Sequence, residues 1–189
     1  VAAYEPICAV SLADSYINRA NPGTYDAAPG TAPTWAEATG WKGNGSSQYL
    51  TTGIVAKRDW SAIVRFSNHV TSGGLGGYVM GGLTSGSNEG IAISPARSVT
   101  NGVRYWNAGL VDKLPILAAG VLCVAGVSGY RDGVLDISTL PASGDTTYAS
   151  YLLAINSSGS AAGFADVNIQ AIYIYNVTLT PTQVRAVTD

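Results

Sequence analysis

"QAIYIYNVTLTPTQVRAV", residues 170–187, begins as a strand and ends as a helix. Ile169, Ala171, Tyr173 and Tyr175 alternate with Gln170, Ile172, Ile174 and Asn176, the two-residue period of a strand. Thr180 then stands where an N-cap belongs, Pro181 takes the first helical position, and Gln183 lies three residues after the threonine. Threonine and glutamine at that spacing form a capping box, each satisfying an N–H that lacks a partner in the first turn. Val184 and Val187 give the short helix one apolar side. Such an ending needs a sheet for the helix to lie on.

Working outward, short apolar runs separated by turn signals fill the rest of the chain. "WSAIVRFS" (60–67) puts Trp60, Ala62, Val64 and Phe66 on one face, with Ile63 opposite beside Ser61 and Arg65. That spacing predicts one core side and one partly solvated side. Further runs are "SQYLTTGI" (47–54), "GGYVMGGL" (76–83), "GIAIS" (90–94), "NGVRYW" (101–106), "VLCVAGV" (121–127), "GVLDIS" (133–138) and "SYLLAIN" (150–156). Together they predict about nine or ten strands, enough for two packed sheets. "GYRDGVLDI" (129–137) is a hairpin, with Asp132-Gly133 supplying the two positive-φ positions of a tight turn.

Only 12% of the 189 residues are charged, half the usual share of about 25% in soluble domains, and the net charge is −2 with no basic run. Nucleic acid and anionic membranes therefore lack an electrostatic foothold here. The uncharged stretch from Leu114 to Tyr130 is broken by Pro115, Gly120, Gly126 and Gly129, and reads as a loop and a buried strand rather than a membrane helix. Cys8 and Cys123, the only cysteines, form no zinc set; they read as buried small hydrophobes, with a single bridge as the alternative. The chain begins at Val1 rather than Met, which reads as a processed N-terminus or a fragment.

Residues 1–40 are set apart from a domain over 41–189. Pro22, Pro29 and Pro33 punctuate an arm that carries Tyr25 and Trp35, large apolar anchors suited to an interface. With so little charge on the surface, the arm predicts packing against copies of the chain or other structural subunits.

The closing "IQAIYIYNVTLTPTQVRAV", the hairpin "GYRDGVL" and the pair "GWKGNGSSQYLTTGI"–"WSAIVRFS" resemble the laminin-G-like, concanavalin A-like lectin-glucanase superfamily, over roughly residues 41–188. The resemblance implies an all-β fold, a two-sheet antiparallel jelly-roll sandwich with a short C-terminal helix. That superfamily includes lectins, hydrolases, adhesion modules and phage structural proteins, so it leaves function to the residues. Retaining hydrolysis needs two carboxylates about 5 Å apart. Glu5, Glu37 and Glu89 are each isolated, Asp132 belongs to a turn, and His69 stands alone, so no catalytic residue is expected. No cofactor is expected either. Calcium is the one ion the resemblance admits, yet Asp59, Asp112 and Asp166 lack the spacing of a calcium loop.

"TNGVRYWNAG" (100–109) is the best carbohydrate-binding cluster, with Arg104, Tyr105, Trp106 and Asn107 as candidate contacts. On a strand Tyr105 and Trp106 face opposite ways, which sends at least one of them into the core. Asn44, Asn156 and Asn176 open glycan-acceptor triplets that a Ser/Thr-rich chain produces by chance. The reading at this level is a non-catalytic structural or adhesive component of an exposed assembly, at an extracellular or virion surface (decoration, tail or fibre protein, or cell-surface layer). The alternative is a free lectin-like carbohydrate-binding module, with a glycoside hydrolase third.

Overall fold

The computed structural model describes residues 1–70, 77–84, 89–96, 102–107, 109–141 and 144–188. Gly76 and Asn101, which open two of the expected strands, and Thr100 and Ala108 of the expected 100–109 cluster lie outside the described residues. Among the described residues seventeen strands form two sheets. Sheet one runs β13 (Val134–Ile137), β12 (Ser128–Arg131), β11 (Gly120–Ala125), β6 (Ser61–Val70), β17 (Asp166–Tyr175), β4 (Gly40–Lys42), β3 (Thr34–Ala36). A further strand, β1 (Ala2–Tyr4), pairs with β17 through Ala2 opposite Ile174. Sheet two runs β10 (Leu110–Lys113), β9 (Val103–Asn107), β8 (Glu89–Ser94), β7 (Met80–Thr84), β14 (Tyr151–Leu152), β5 (Tyr49–Thr51), β2 (Ala28–Thr31). The hairpin of β15 (Ile155–Ser157) and β16 (Ser160–Ala162) joins β7 at its side. Two short helices, α1 (Leu12–Ser15) and α2 (Pro181–Thr188), complete the chain.

The expected purely antiparallel jelly roll of nine or ten strands is corrected at three points. The pairing of β15 with β7 is parallel, through Asn156 opposite Gly82. The chain manages this because Leu153, at φ 64°, turns it between β14 and β15, so one passage along β7 is antiparallel and the next is not. The first forty residues also contribute strands to both sheets. Proline has no N–H to donate, so a proline-bearing strand belongs at an edge; β2, with Pro29, closes one end of sheet two. Finally, the side of β6 opposite the core is not solvated: Ser61 and Ile63 are buried.

The core between the sheets takes Ala62, Val64, Phe66, Leu122, Ile172 and Ile174 from sheet one, and Leu50, Met80, Ile91, Ile93, Val103 and Tyr105 from sheet two. Ile169 shares that core although it is three positions from Ile172; a register shift between Ile169 and Ala171 re-aims the strand. Trp41 is fully buried, its indole N–H donating to Ser15 Oγ at 2.7 Å, with Tyr4 and Tyr16 packed around its ring. The arm's opening residues are therefore wrapped on a core tryptophan.

On the other side of sheet one, Ile63, Val121, Cys123, Ala125 and Tyr130 form a second cluster, sealed by Leu179, Val184 and Val187. The seal is α2, and its capping box forms in both directions. Thr180 N donates to Gln183 Oε1 at 2.9 Å, and Gln183 N donates to Thr180 Oγ1 at 3.4 Å. The hairpin beneath it turns through Asp132 (φ 48°) and Gly133 (φ 73°). A side chain at Gly133 would meet Thr188 of α2. The two cysteines are free: Cys123 is buried in this cluster, where burial pushes its thiol up to about 12, and Cys8 is exposed. No helix among the described residues is long and apolar enough to cross a membrane.

Candidate functional site on the outer face of sheet two

Strand alternation sends Leu50 and Leu152 inward, so Tyr49 and Tyr151 point outward from sheet two. The register sets Tyr151 opposite Thr51, which makes Tyr49 its diagonal neighbour, within reach of a ring. The two ring centroids lie 5.0 Å apart, and Phe164, just beyond β16, brings a third ring 6.0 Å from Tyr49. All three are partly exposed. Gly30 on β2 makes room for them: a Cβ there would fall 2.1 Å from the Tyr49 ring. The result is an aromatic surface with apolar area facing water at the β2–β5–β14 side.

In the middle of the face Gly81 and Ala92 oppose one another on β7 and β8, and both are buried against Ile155. Tyr78, Leu83, Ala92, Trp106 and Ile155 pack there into a third cluster under the β15–β16 hairpin. Arg104 lies on this face with Trp106, its guanidinium carbon 5.9 Å from the indole centroid. It holds Asp112 in a bidentate pair, Nε to Oδ1 at 2.6 Å and Nη2 to Oδ2 at 2.7 Å. Burial works against the guanidinium's charge, but the hydrogen bonds it donates to Asp112 and Tyr78, with the Asp112 charge, prevail and hold its pKa above the usual value. The charge on this part of the face is thus neutralised internally.

The four candidates from the 100–109 stretch divide between the two sides of β9. Arg104 and Trp106 face outward, and both are nearly buried. Tyr105 lies in the central core, its hydroxyl donating to Asp136 Oδ2 at 3.0 Å, and burial with the Asp136 charge raises its pKa strongly. Asn107 is fully buried and donates through Nδ2 to the carbonyls of Arg58 (2.7 Å) and Gly126 (2.6 Å). The rings that can meet a ligand, Tyr49, Tyr151 and Phe164, were not singled out from the sequence. For Tyr49 and Tyr151 the signal is alternation within 47–54 and 150–156, which cannot say that those two strands are neighbours, and Phe164 lies outside both stretches.

The acids considered for calcium lie apart: Asp112 is paired with Arg104 and Asp166 with Lys42. Among the described residues no three His, Cys, Asp or Glu side chains converge. Of the arm residues, Trp35 is partly buried against the central core and donates its indole N–H to the Pro6 carbonyl at 2.8 Å. Tyr25 is 45% exposed, with a positive φ and its carbonyl held by the Tyr4 hydroxyl.

No protein-family profile and no curated protein sequence matches the chain. Solved structures do. Domain 4 of a GH43 extracellular arabinanase from Geobacillus stearothermophilus, determined with arabinotriose, superposes with a TM-score of 0.66 at 20% identity, covering 100% of this chain and 97% of that domain. Trypanosoma rangeli sialidase in complex with sialic acid gives 0.61 at 14% identity, over 87% of this chain but only 29% of the sialidase. The CBM40 of Ruminococcus gnavus IT-sialidase, bound to α2,3-sialyllactose, gives 0.51 at 14% identity, over 71% of this chain and 84% of that one. At such identities the likeness shows the fold.

These neighbours overturn four expectations. The fold is one carried by glycosidases and their domains, and the laminin-G-like assignment is replaced accordingly. The expected virion or surface-layer component and the expected absence of any enzyme connection are contradicted as well, since the neighbours that share this fold are an arabinanase domain and sialidases. Assembly with copies of itself falls too: the arm that motivated it is spent on the chain's own sheets.

Proposed function

We propose that this chain is the carbohydrate-recognition domain of an extracellular carbohydrate-active enzyme, and that it holds an oligosaccharide on the outer face of sheet two. The observation that carries this is the partly exposed trio Tyr49, Tyr151 and Phe164, held at fixed spacing on that face. The C–H face of a sugar ring is apolar and stacks on an aromatic plane, while its rim hydroxyls need donors and acceptors around it. The end-to-end superposition on an arabinanase domain determined with arabinotriose supports the same reading, as does the CBM40 determined with α2,3-sialyllactose. "Extracellular" rests on the arabinanase, which is an extracellular enzyme. A domain of this kind concentrates an enzyme on its polymer by adding a second attachment, an effective-concentration gain that needs no new chemistry.

The test is a glycan-array and affinity-gel screen with the parent chain and the Tyr151→Ala variant. Retention on a polysaccharide by the parent, lost in the variant, supports the reading. Failure of the parent to bind any glycan in the screen refutes it.

A further inference from the structure

A separate cavity of about 350 Å³ opens at one end of the two sheets, lined by Arg58, Asp59, Gly126, Val127 and Thr178. Its size falls in the range of roughly 300–1,000 Å³ found for small-molecule sites. Three segments distant in sequence build it: the turn before β6, the β11–β12 turn, and the link from β17 to α2. Hydrogen bonds lock them together. Thr178 Oγ1 donates to the Asp59 carbonyl at 2.6 Å, Gly126 N donates to the Trp60 carbonyl at 3.0 Å, and Ser61 Oγ donates to the Val177 carbonyl at 2.9 Å.

Behind the wall, the Asn107 amide clamps Arg58 to Gly126 through its two donated bonds. Its Oδ1 is buried and has no hydrogen-bond partner among the described residues. The two donated bonds tie together two of the segments that line the cavity, so the amide braces its wall. With the backbone groups turned inward to these bonds, the wall is mostly carbon. The Asp59 carboxylate is exposed, and among the described residues it makes no hydrogen bond or ion pair.

We propose that this cavity is a second sugar site, seating one uncharged terminal sugar unit; the inference rests on the carbohydrate-recognition reading above. The unit's C–H face lies on Val127 and the Gly126 backbone, and two adjacent hydroxyls donate to the two oxygens of Asp59. The lining sets one cationic residue, Arg58, beside one acidic residue, Asp59, so a mostly carbon wall without net charge suits a neutral diol over a carboxylated sugar. The arrangement is preassembled, so little ordering entropy is lost on binding.

The experiment is an amide NMR titration of the whole chain with neutral trisaccharides (arabinotriose, xylotriose, cellotriose and maltotriose) and with α2,3-sialyllactose as the anionic probe. At least one neutral probe is expected to move the Asp59, Gly126, Val127 and Thr178 amides saturably. Asp59→Ala should weaken that response by about tenfold or more, as loss of a charged acceptor predicts. Val127→Trp, which fills the cavity from an exposed position, should abolish it, and Tyr151→Ala should leave it intact. Movement confined to the surroundings of Tyr49 and Tyr151 overturns the cavity site and leaves the sheet-face reading standing. Silence at both places removes both. Equal response to α2,3-sialyllactose, or an Asp59→Ala variant that binds as the parent does, overturns the assignment of an uncharged unit to Asp59.

Discussion

The outer faces of the two sheets are built on the same alternation and end in opposite conditions. On sheet one the outward positions are Ile63, Val121, Cys123 and Tyr130, and the chain's own ending closes them with Leu179, Val184 and Val187. On sheet two the outward positions include Tyr49 and Tyr151, which together with the neighbouring Phe164 stay partly open to water. An apolar face that the chain covers is a stability element, worth about 1.5–3 kcal/mol for each fully buried large side chain. One left open, with rings held at fixed spacing, forgoes that gain, which is what a binding surface requires. Partial cover is itself informative: the β15–β16 hairpin roofs Trp106 and leaves the Tyr151 side bare.

The sharpest way to break this contrast is Ile63→Ala. Ile63 is 1% exposed in the closed cluster, so truncation should cost about 3 kcal/mol, read as a lowered denaturant midpoint, with glycan retention unchanged. A variant that keeps its midpoint but loses retention would invert the roles of the two faces.

A comparable effect is expected from pH, at the end of sheet one where β6 meets β17. His69 is buried, and its Nε2 has no hydrogen-bond partner among the described residues. Burial holds its pKa down at about 4; the Asp166 charge pushes upward and Lys42 adds to the depression. The unfolded chain binds this proton near pH 6.5 and the folded chain only near pH 4. His69 therefore leaves stability intact above the unfolded value and erodes it as pH falls from about 6.5 to 4, by about 3 kcal/mol. Unfolding midpoints of the parent and His69→Gln across that window check this: the parent should fall more steeply, and parallel curves count against it.

On the open face, Tyr151→Ala should weaken glycan binding by about tenfold while costing less stability than Ile63→Ala, because its ring is already partly solvated. Isothermal titration beside thermal unfolding separates the two quantities; a stability loss as large as that of Ile63→Ala would make Tyr151 a core residue. The smallest effect belongs to the seal. Thr180→Ala removes one half of the capping box and should cost about 1 kcal/mol by denaturant unfolding, an unchanged midpoint denying the cap its role.

What could be read from the sequence alone was local. Thr180, Pro181 and Gln183 specify a helix start because the cap needs only four consecutive residues, and the bonds form as that spacing requires. Asp132-Gly133 specifies its turn for the same reason: the positive φ angles belong to the two residues themselves. Trp60, Ala62, Val64 and Phe66 sort to one face because alternation is a property of a single strand. Pairing is not such a property. That Tyr151 sits beside Tyr49, that residues 1–40 supply strands to both sheets, and that Ile63 lies under α2 all depend on which strands meet, across separations of about a hundred residues. The Arg104–Asn107 stretch shows the limit within a single strand. Alternation foretold that its side chains divide between two faces, but only the packed sheets decided which face was core and that the outward pair would be nearly buried.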